Sequence, residues 1–242
     1  MSALLEVTAI AKAFRGLRAL HDVSFTVNDG AMIALIGPNG AGKTTLFHII
    51  AGMLTPDSGQ IHFGGRRIDG QRADQICAAG IGRTFQVVRP FTALSVLDNV
   101  IVGALLRAKT VAAARRYAET ILDELGLGAK SNLPASALTL PDRKLLEIAR
   151  SLATQPKLLL LDEALAGLRP AECDRVVHVL REVRQRSGIT ILLIEHVMRA
   201  VMALAERVVV LHHGEVVAAG APEQIVRDAR VLECYLGEDT PL

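Results

Sequence analysis

The chain has 242 residues, half of them hydrophobic and 21% charged, with a formal net charge of +2. This composition excludes a disordered chain, and the small net charge gives no electrostatic footprint for a nucleic-acid partner. Apolar runs such as residues 100–106 fall short of the roughly 18 residues that a membrane span needs, and MSALLEV lacks the basic and apolar regions of an export signal, so a soluble, non-exported chain is expected.

In chain order, LLEVTAI and HDVSFTVNDG alternate apolar and polar residues, as antiparallel strands do. Residues 31–36 (AMIALI) read as a buried strand, followed at once by GPNGAGKTT and the helical pattern TLFHIIAGM. From about 95 to 130, SVLDNVIVGALLRA and TVAAARRYAETILDELG carry helical periodicity without strand signals, which predicts a helical insert. LTLPDRKLLEIARSL, residues 138–152, reads as a loop feeding an amphipathic helix. Two further apolar runs follow, KLLLL (157–161) and ITILLI (189–194). Flanked by helical patterns, they predict a parallel sheet. Each ends in a polar pair, Asp162-Glu163 and Glu195-His196. Because ligands bind beyond the carboxyl ends of parallel strands, these pairs and the loop after Ile36 are expected to meet at one site. Cys77, Cys173 and Cys234 form no CxxC spacing and are expected to be reduced, buried thiols.

Gly37-Pro38-Asn39-Gly40-Ala41-Gly42-Lys43-Thr44 satisfies GxxxxGK[ST] between a strand and a helix, the context the motif requires. Its glycines let backbone N–H groups curl round a β-phosphate, and the helix N-terminus adds a positive dipole end. Lys43 would neutralise β and γ oxygens, the Thr44 hydroxyl would ligate Mg2+, and Thr45 follows in the same turn. Asp162 is the expected second contact to Mg2+, and Glu163 is placed to polarise an attacking water. His196 could hydrogen-bond the γ-phosphate or that water, or be structural.

With these residues in place, the chain resembles the ATP-binding subunits of ABC transporters over nearly its whole length. The resemblance matches Gln86, in GIGRTFQ, to a glutamine that reaches metal and water, and Phe14 to an aromatic that stacks on adenine. Phe14 by itself reads equally well as a core residue. Asp162-Glu163 and His196 match the family's acidic pair and switch histidine. IGPNGAGKTTLF, GIGRTFQVVRPF, LEIARSLATQPKLLLLDE, ILLIEH and YLG are similar to the branched-chain amino acid importers of that family. The resemblance implies an α/β fold, a P-loop NTPase (RecA-like) parallel sheet core with an N-terminal antiparallel β subdomain and an inserted α-helical subdomain. The expected division is 1–86 with 138–222 for the core, 87–137 for the helical insert and 223–242 for a C-terminal helical tail.

It further implies ATP and Mg2+ as cofactors, and hydrolysis with Glu163 as base, Lys43 stabilising charge, and Gln86 and His196 positioning water. The implied partners are integral membrane permease subunits, a second ATPase subunit, homologous or identical, and indirectly a solute-binding protein. Together they place the chain peripherally at the cytoplasmic side of the inner membrane. The segment from Val87 to Asn99 is the expected docking surface, or else packing for the helical insert.

One stretch departs from the family. Counted back from Ile148-Ala149-Arg150, its signature LSGGQ falls on Leu138-Thr139-Leu140-Pro141-Asp142, so both glycines and the glutamine are absent. Thr139 keeps a hydroxyl that could reach a partner's nucleotide, whereas Pro141 has no N–H to offer. Thr139 and Asp142 stand in capping-box register, which predicts a self-capped helix with a carboxylate where ATP should approach. Ala164 and Arg169 also replace the residues usual at their positions.

Overall fold

A computed structural model describes residues 2–86 and 88–236 and divides the chain into two compact units, Met1–Ile76 with Thr190–Leu242, and Cys77–Ile189. In chain order the elements are β1 (Ala3–Phe14), β2 (Leu17–Asn28), β3 (Met32–Ile36), α1 (Lys43–Ile50), β4 (Ser58–Phe63), β5 (Arg66–Arg67), α2 (Ala73–Ala79) and β6 (Ile81–Arg83). There follow α3 (Val96–Ala104), α4 (Val111–Glu124), α5 (Leu140–Ala153), β7 (Leu158–Asp162), α6 (Pro170–Ser187), β8 (Thr190–Ile194), α7 (Met198–Leu204), β9 (Arg207–His212), β10 (Glu215–Gly220), α8 (Pro222–Ile225) and α9 (Ala229–Leu236).

In the first unit, β1 and β2 pair antiparallel with Leu5 opposite Val27 and Val7 opposite Phe25. These residues are buried while their neighbours Glu6 and Thr8 are exposed, so alternation in the sequence fixes which face turns inward. The sheet order is β2-β1-β4-β5. A second sheet of this unit runs β10-β9-β3-β8, with β3 parallel to both β8 and β9 and β10 returning antiparallel on β9. Every residue of β3 and β8 is buried, which is why both read as continuous apolar runs and not as alternating ones.

In the second unit, β6 lies parallel to β7 with Gly82 opposite Leu159. The expected helical insert falls within this unit as α3 and α4, with Val87 outside the described residues. Ser95 caps α3 by accepting from the Asp98 N–H at 3.0 Å, and Thr110 caps α4 by accepting from Ala113 N at 3.1 Å. Asn99, wholly buried, clamps the preceding loop: its Oδ1 accepts from Phe91 N at 2.8 Å, and its Nδ2 donates to Phe91 O and Ser95 O at 3.0 and 2.9 Å. The three cysteines are free, with Cys173 and Cys234 buried and Cys77 only half-buried, short of the expectation for that one.

α3 and α5 approach closely because of Gly103, whose hypothetical Cβ would lie 2.5 Å from the Arg150 carbonyl oxygen. Alanine is the better helix former by about 1 kcal/mol, but the overlap is with backbone, which must shift at a cost of about 1–3 kcal/mol. Gly103→Ala is therefore expected to lower the urea midpoint without changing the slope; an unchanged or raised midpoint would show that the helices yield freely.

Candidate functional site

The P-loop leaves β3 and enters α1. Gly37 has φ +147°, and a Cβ there would fall 1.9 Å from the Leu211 carbonyl oxygen. Gly42, the N-cap of α1, has φ +101° and would place a Cβ 2.5 Å from Ala19 O. Both positions thus demand glycine through backbone conformation and space together. Gly214 N donates to Ala41 O at 3.1 Å, so the β9–β10 hairpin braces the loop from behind. The Lys43 ammonium donates to Gly37 O at 2.6 Å and Pro38 O at 2.7 Å, spanning the loop. No side chain caps the start of α1; Asn39, Gly40 and Thr44 are exposed and Thr45 half-buried. This backbone cradle, with a cation inside and an uncapped helix N-terminus, has the donor set that fits a polyphosphate.

His196, exposed, follows β8. Because Leu35 pairs with Ile194 in parallel register, His196 and the P-loop leave the same edge of the sheet. Phe14, at the end of β1, is 42% exposed with Lys12 Nζ 5.7 Å from its ring centroid, so it is not a core residue.

The second unit brings Gln86, Asp162 and Glu163 together at the carboxyl edge of β6 and β7. Gln86 Nε2 donates to Glu163 Oε2 at 2.7 Å. Asp162, 1% exposed, accepts from Arg83 Nη2 at 2.8 Å through Oδ2, while its buried Oδ1 has no hydrogen-bond partner. An orphaned buried carboxylate oxygen is costly unless a cation or water meets it, so Asp162 fits the role of a metal contact or the anchor of a metal-bound water. Glu163 has φ +46°, a left-handed conformation that costs a non-glycine residue roughly 1–3 kcal/mol. Lys144, on α5, holds this geometry from below: its ammonium donates to Glu163 O at 3.0 Å and to Gln86 O at 3.3 Å.

The signature stretch corrects two expectations. Thr139 is the N-cap of α5, but its side chain makes no cap bond; its hydroxyl donates to Asp142 Oδ2 at 2.7 Å, so no capping box forms. Asp142 does not face outward either. It is 2% exposed, paired with Lys130, and its Oδ1 lies 3.7 Å from Arg175 Nη1. Burial pushes this carboxyl up, but the hydrogen bonds from Lys130 and Thr139 and the charges of Lys130 and Arg175 outweigh it and hold the carboxyl below the usual carboxylate range. Two cations recruit the carboxylate inward, and neither is adjacent to it in sequence. Pro141 lies in the first turn of α5, as expected.

Three residues had no place in the sequence reading: Arg83, Lys144 and Lys130. Each acts through a contact at least 12 positions away, so no local pattern marks them.

Residues 20–166 match the family described as ABC transporter, and residues 215–240 that described as branched-chain amino acid ATP-binding cassette transporter. The high-affinity branched-chain amino acid transport ATP-binding protein LivG of Salmonella typhimurium is 39% identical over 97% of this chain and 98% of its own length. The chain belongs to the ABC transporter family. Like other members of the family, this ABC ATPase binds and hydrolyses ATP. The lipopolysaccharide export system ATP-binding protein LptB of Acidithiobacillus ferridurans is 36% identical over 98% of both chains. The crystal structure of an ATP-binding cassette of an ABC transporter in its ADP conformation superposes with a TM-score of 0.89 at 30% identity, covering 98% of this ABC ATPase and 100% of that chain. The P-loop NTPase fold expected from the sequence is the fold observed.

Gly37→Ala is expected to weaken binding of a fluorescent ATP analogue about tenfold or more, since moving the loop off Leu211 O sacrifices charge-assisted contacts worth roughly 1.5–3 kcal/mol. Wild-type affinity would show that the loop accommodates a Cβ. At the signature stretch, a depressed pKa means that the stability Asp142 contributes is present above the ordinary carboxylate range and lost as pH falls below it. Asp142→Asn should therefore lower stability by about 1–3 kcal/mol at pH 7, with a difference that shrinks towards pH 3 in thermal melts. A pH-independent difference would mean that the charge of Asp142 contributes nothing.

Proposed function

We propose that this ABC ATPase powers import of branched-chain amino acids or related solutes, working from the cytoplasmic face of the membrane. The observation that carries the catalytic half of the reading is the orientation of the acidic pair: Glu163 is fixed by Gln86 and Lys144 while Asp162 keeps one oxygen unpartnered. Lys43 and the P-loop N–H groups hold the β and γ oxygens, and Phe14 offers its exposed face to adenine. Thr44, Asp162 and Gln86 would hold Mg2+, which supplies charge neutralisation on the phosphates. Glu163 accepts the proton of the attacking water as Gln86 and His196 orient it. Among the described residues no helix is long and apolar enough to cross a membrane, which fits a peripheral subunit attached to membrane permease partners.

The substrate class rests on the match of residues 215–240 to the branched-chain description, a match that favours import over the export relative. The docking face is the rim of a cavity of about 200 Å³ lined by Phe85, Phe91, Asn99, Val102 and Arg150 among others. Phe85 and Phe91 are 45% and 46% exposed, and the Arg150 guanidinium lies 4.8 Å from the Phe91 centroid, an arrangement suited to an apolar segment of a membrane subunit. The second ATPase of the assembly is a different chain with an intact signature, because this chain's own signature has no N–H at Pro141 and its Thr139 hydroxyl is engaged by Asp142.

In a strain lacking this subunit, leucine uptake should be restored by the wild-type chain and not by Glu163→Gln, which should retain ATP binding while hydrolysis in the assembled complex falls about 10²–10⁴-fold. Near-normal turnover in that variant would reject Glu163 as the base, and uptake of leucine unaffected by deleting the chain would reject the substrate class. Phe91→Asp should abolish copurification with the membrane subunits in a protein that melts normally; full assembly would move the docking face elsewhere.

A further inference from the structure

Arg83 faces two places at once. It ends β6, and its side chain is only 7% exposed. Its Nη2 holds Asp162 Oδ2 at 2.8 Å, and its Nε donates to Thr84 O at 3.3 Å. The same guanidinium lies 5.2 Å from the ring centroid of Phe85, and Arg83 itself lines the 200 Å³ cavity beside Phe85, Phe91, Glu147 and Arg150. One side chain therefore runs from the wall of that cavity to the carboxylate that has an orphaned oxygen.

The surroundings leave this pair little slack. Ser151 Oγ donates to Arg83 O at 2.6 Å, which fastens the end of β6 to α5. On the other side of the same strand, Thr84 N donates to Leu160 O at 2.9 Å and the Asp162 N–H donates to Thr84 Oγ1 at 3.1 Å. The backbones of Arg83 and Asp162 are thus locked in register, and the group that links them to the cavity is the guanidinium beside the half-exposed Phe85 ring. Glu147, the acid in the cavity, cannot simply take the guanidinium over: its carboxyl is engaged by Arg150 at 3.5 Å.

We infer that Arg83 is a positioning residue that couples occupancy of the cavity to the orientation of Asp162. With Oδ2 held by Arg83, Oδ1 is the oxygen left to face a metal or its bound water. A segment that packs on Phe85 shifts the ring beside the guanidinium, and the charge-assisted bond to Asp162 Oδ2 passes that shift to the carboxylate. Partners that orient a metal-binding carboxylate are a large part of its affinity. The coupling half of this inference rests on the docking reading given above, whereas the positioning half stands on the Arg83–Asp162 pair alone.

The test measures the Mg2+ concentration that half-saturates enhanced binding of a fluorescent ATP analogue, with an EDTA control, in the isolated subunit and in complex with the membrane subunits. In the wild type, adding the membrane subunits should shift that concentration about fivefold or more. Arg83→Met should raise it roughly tenfold in the isolated subunit, with EDTA binding unaltered, and should abolish the shift. Arg83→Lys keeps the charge but not the planar fork, and should recover only part of both effects.

Copurification gives the assembled fraction of each sample, so the shift is read per complex. A folded Arg83→Met protein with wild-type Mg2+ dependence, or with an undiminished shift, overturns the inference. If that variant fails to fold, Phe85→Ala decides: it leaves the ion pair and removes the ring, and a full wild-type shift in it overturns the coupling. Full assembly of Phe91→Asp, by contrast, rejects the docking face while leaving the Mg2+ result on the isolated subunit to stand.

Discussion

The buried ammonium of Lys144 is the contact on which the placement of Gln86 and Glu163 depends. It is 5% exposed and donates to two backbone carbonyls, Glu163 O and Gln86 O. A buried cation is tolerated only when polar partners replace its water, and here those partners are the two residues whose side chains meet each other at 2.7 Å. Lys144 also explains why Glu163 remains in a left-handed conformation that most side chains avoid: the carbonyl that the conformation turns out is the one the ammonium grips. Since Lys144 belongs to α5, the helix that begins with the signature stretch is tied to the acidic pair through a single side chain.

The altered signature has its own internal logic. Replacing glycines with Leu140 and Pro141 removes a flexible, N–H-rich loop and gives a first turn with proline preset for the helix. The carboxylate of Asp142 then lies near the dipole's positive end, and Lys130 and Arg175 neutralise it from segments on either side. The stretch has become a structural joint between the turn at 128–130, α5 and α6. Arg169, also unusual for the family, is likewise engaged locally, donating to Glu172 at the start of α6. The substitutions that look like losses of function in sequence are gains of intramolecular bonds in the fold.

Much of this was legible in the sequence because its signals are local. The strand, glycine loop and helix around Lys43 announce themselves by spacing, and β3, β7 and β8 by unbroken apolar runs that only doubly covered strands can afford. The RVVVLH run of β9 was not singled out from the sequence, and with β10 it proves to brace the P-loop through Leu211 and Gly214. What sequence could not give was direction. Asp142 next to a helix start reads as a cap facing outward until Lys130 and Arg175 are seen beside it, and nothing marks Arg83 until Asp162 is seen beside it. Charge pairs formed across 79 positions, as in that last case, leave no periodic trace.

The P-loop, the acidic pair and the signature stretch differ in how their polar groups are engaged. In the first unit Lys43 spans the P-loop, and in the second Gln86, Glu163 and Asp162 are held by Lys144 and Arg83. At the signature stretch Pro141 has no N–H, the Thr139 hydroxyl is bonded to Asp142, and the Asp142 carboxylate is paired with Lys130 and faced by Arg175, while no side chain caps the first turn of α5. An unmet hydrogen-bond donor is the currency of phosphate recognition, and a group already satisfied inside its own fold must break that bond before it can make another. The engagement of Thr139 and Asp142 is therefore built into the chain's own fold, and any group approaching the start of α5 through those side chains meets bonds that must first be broken.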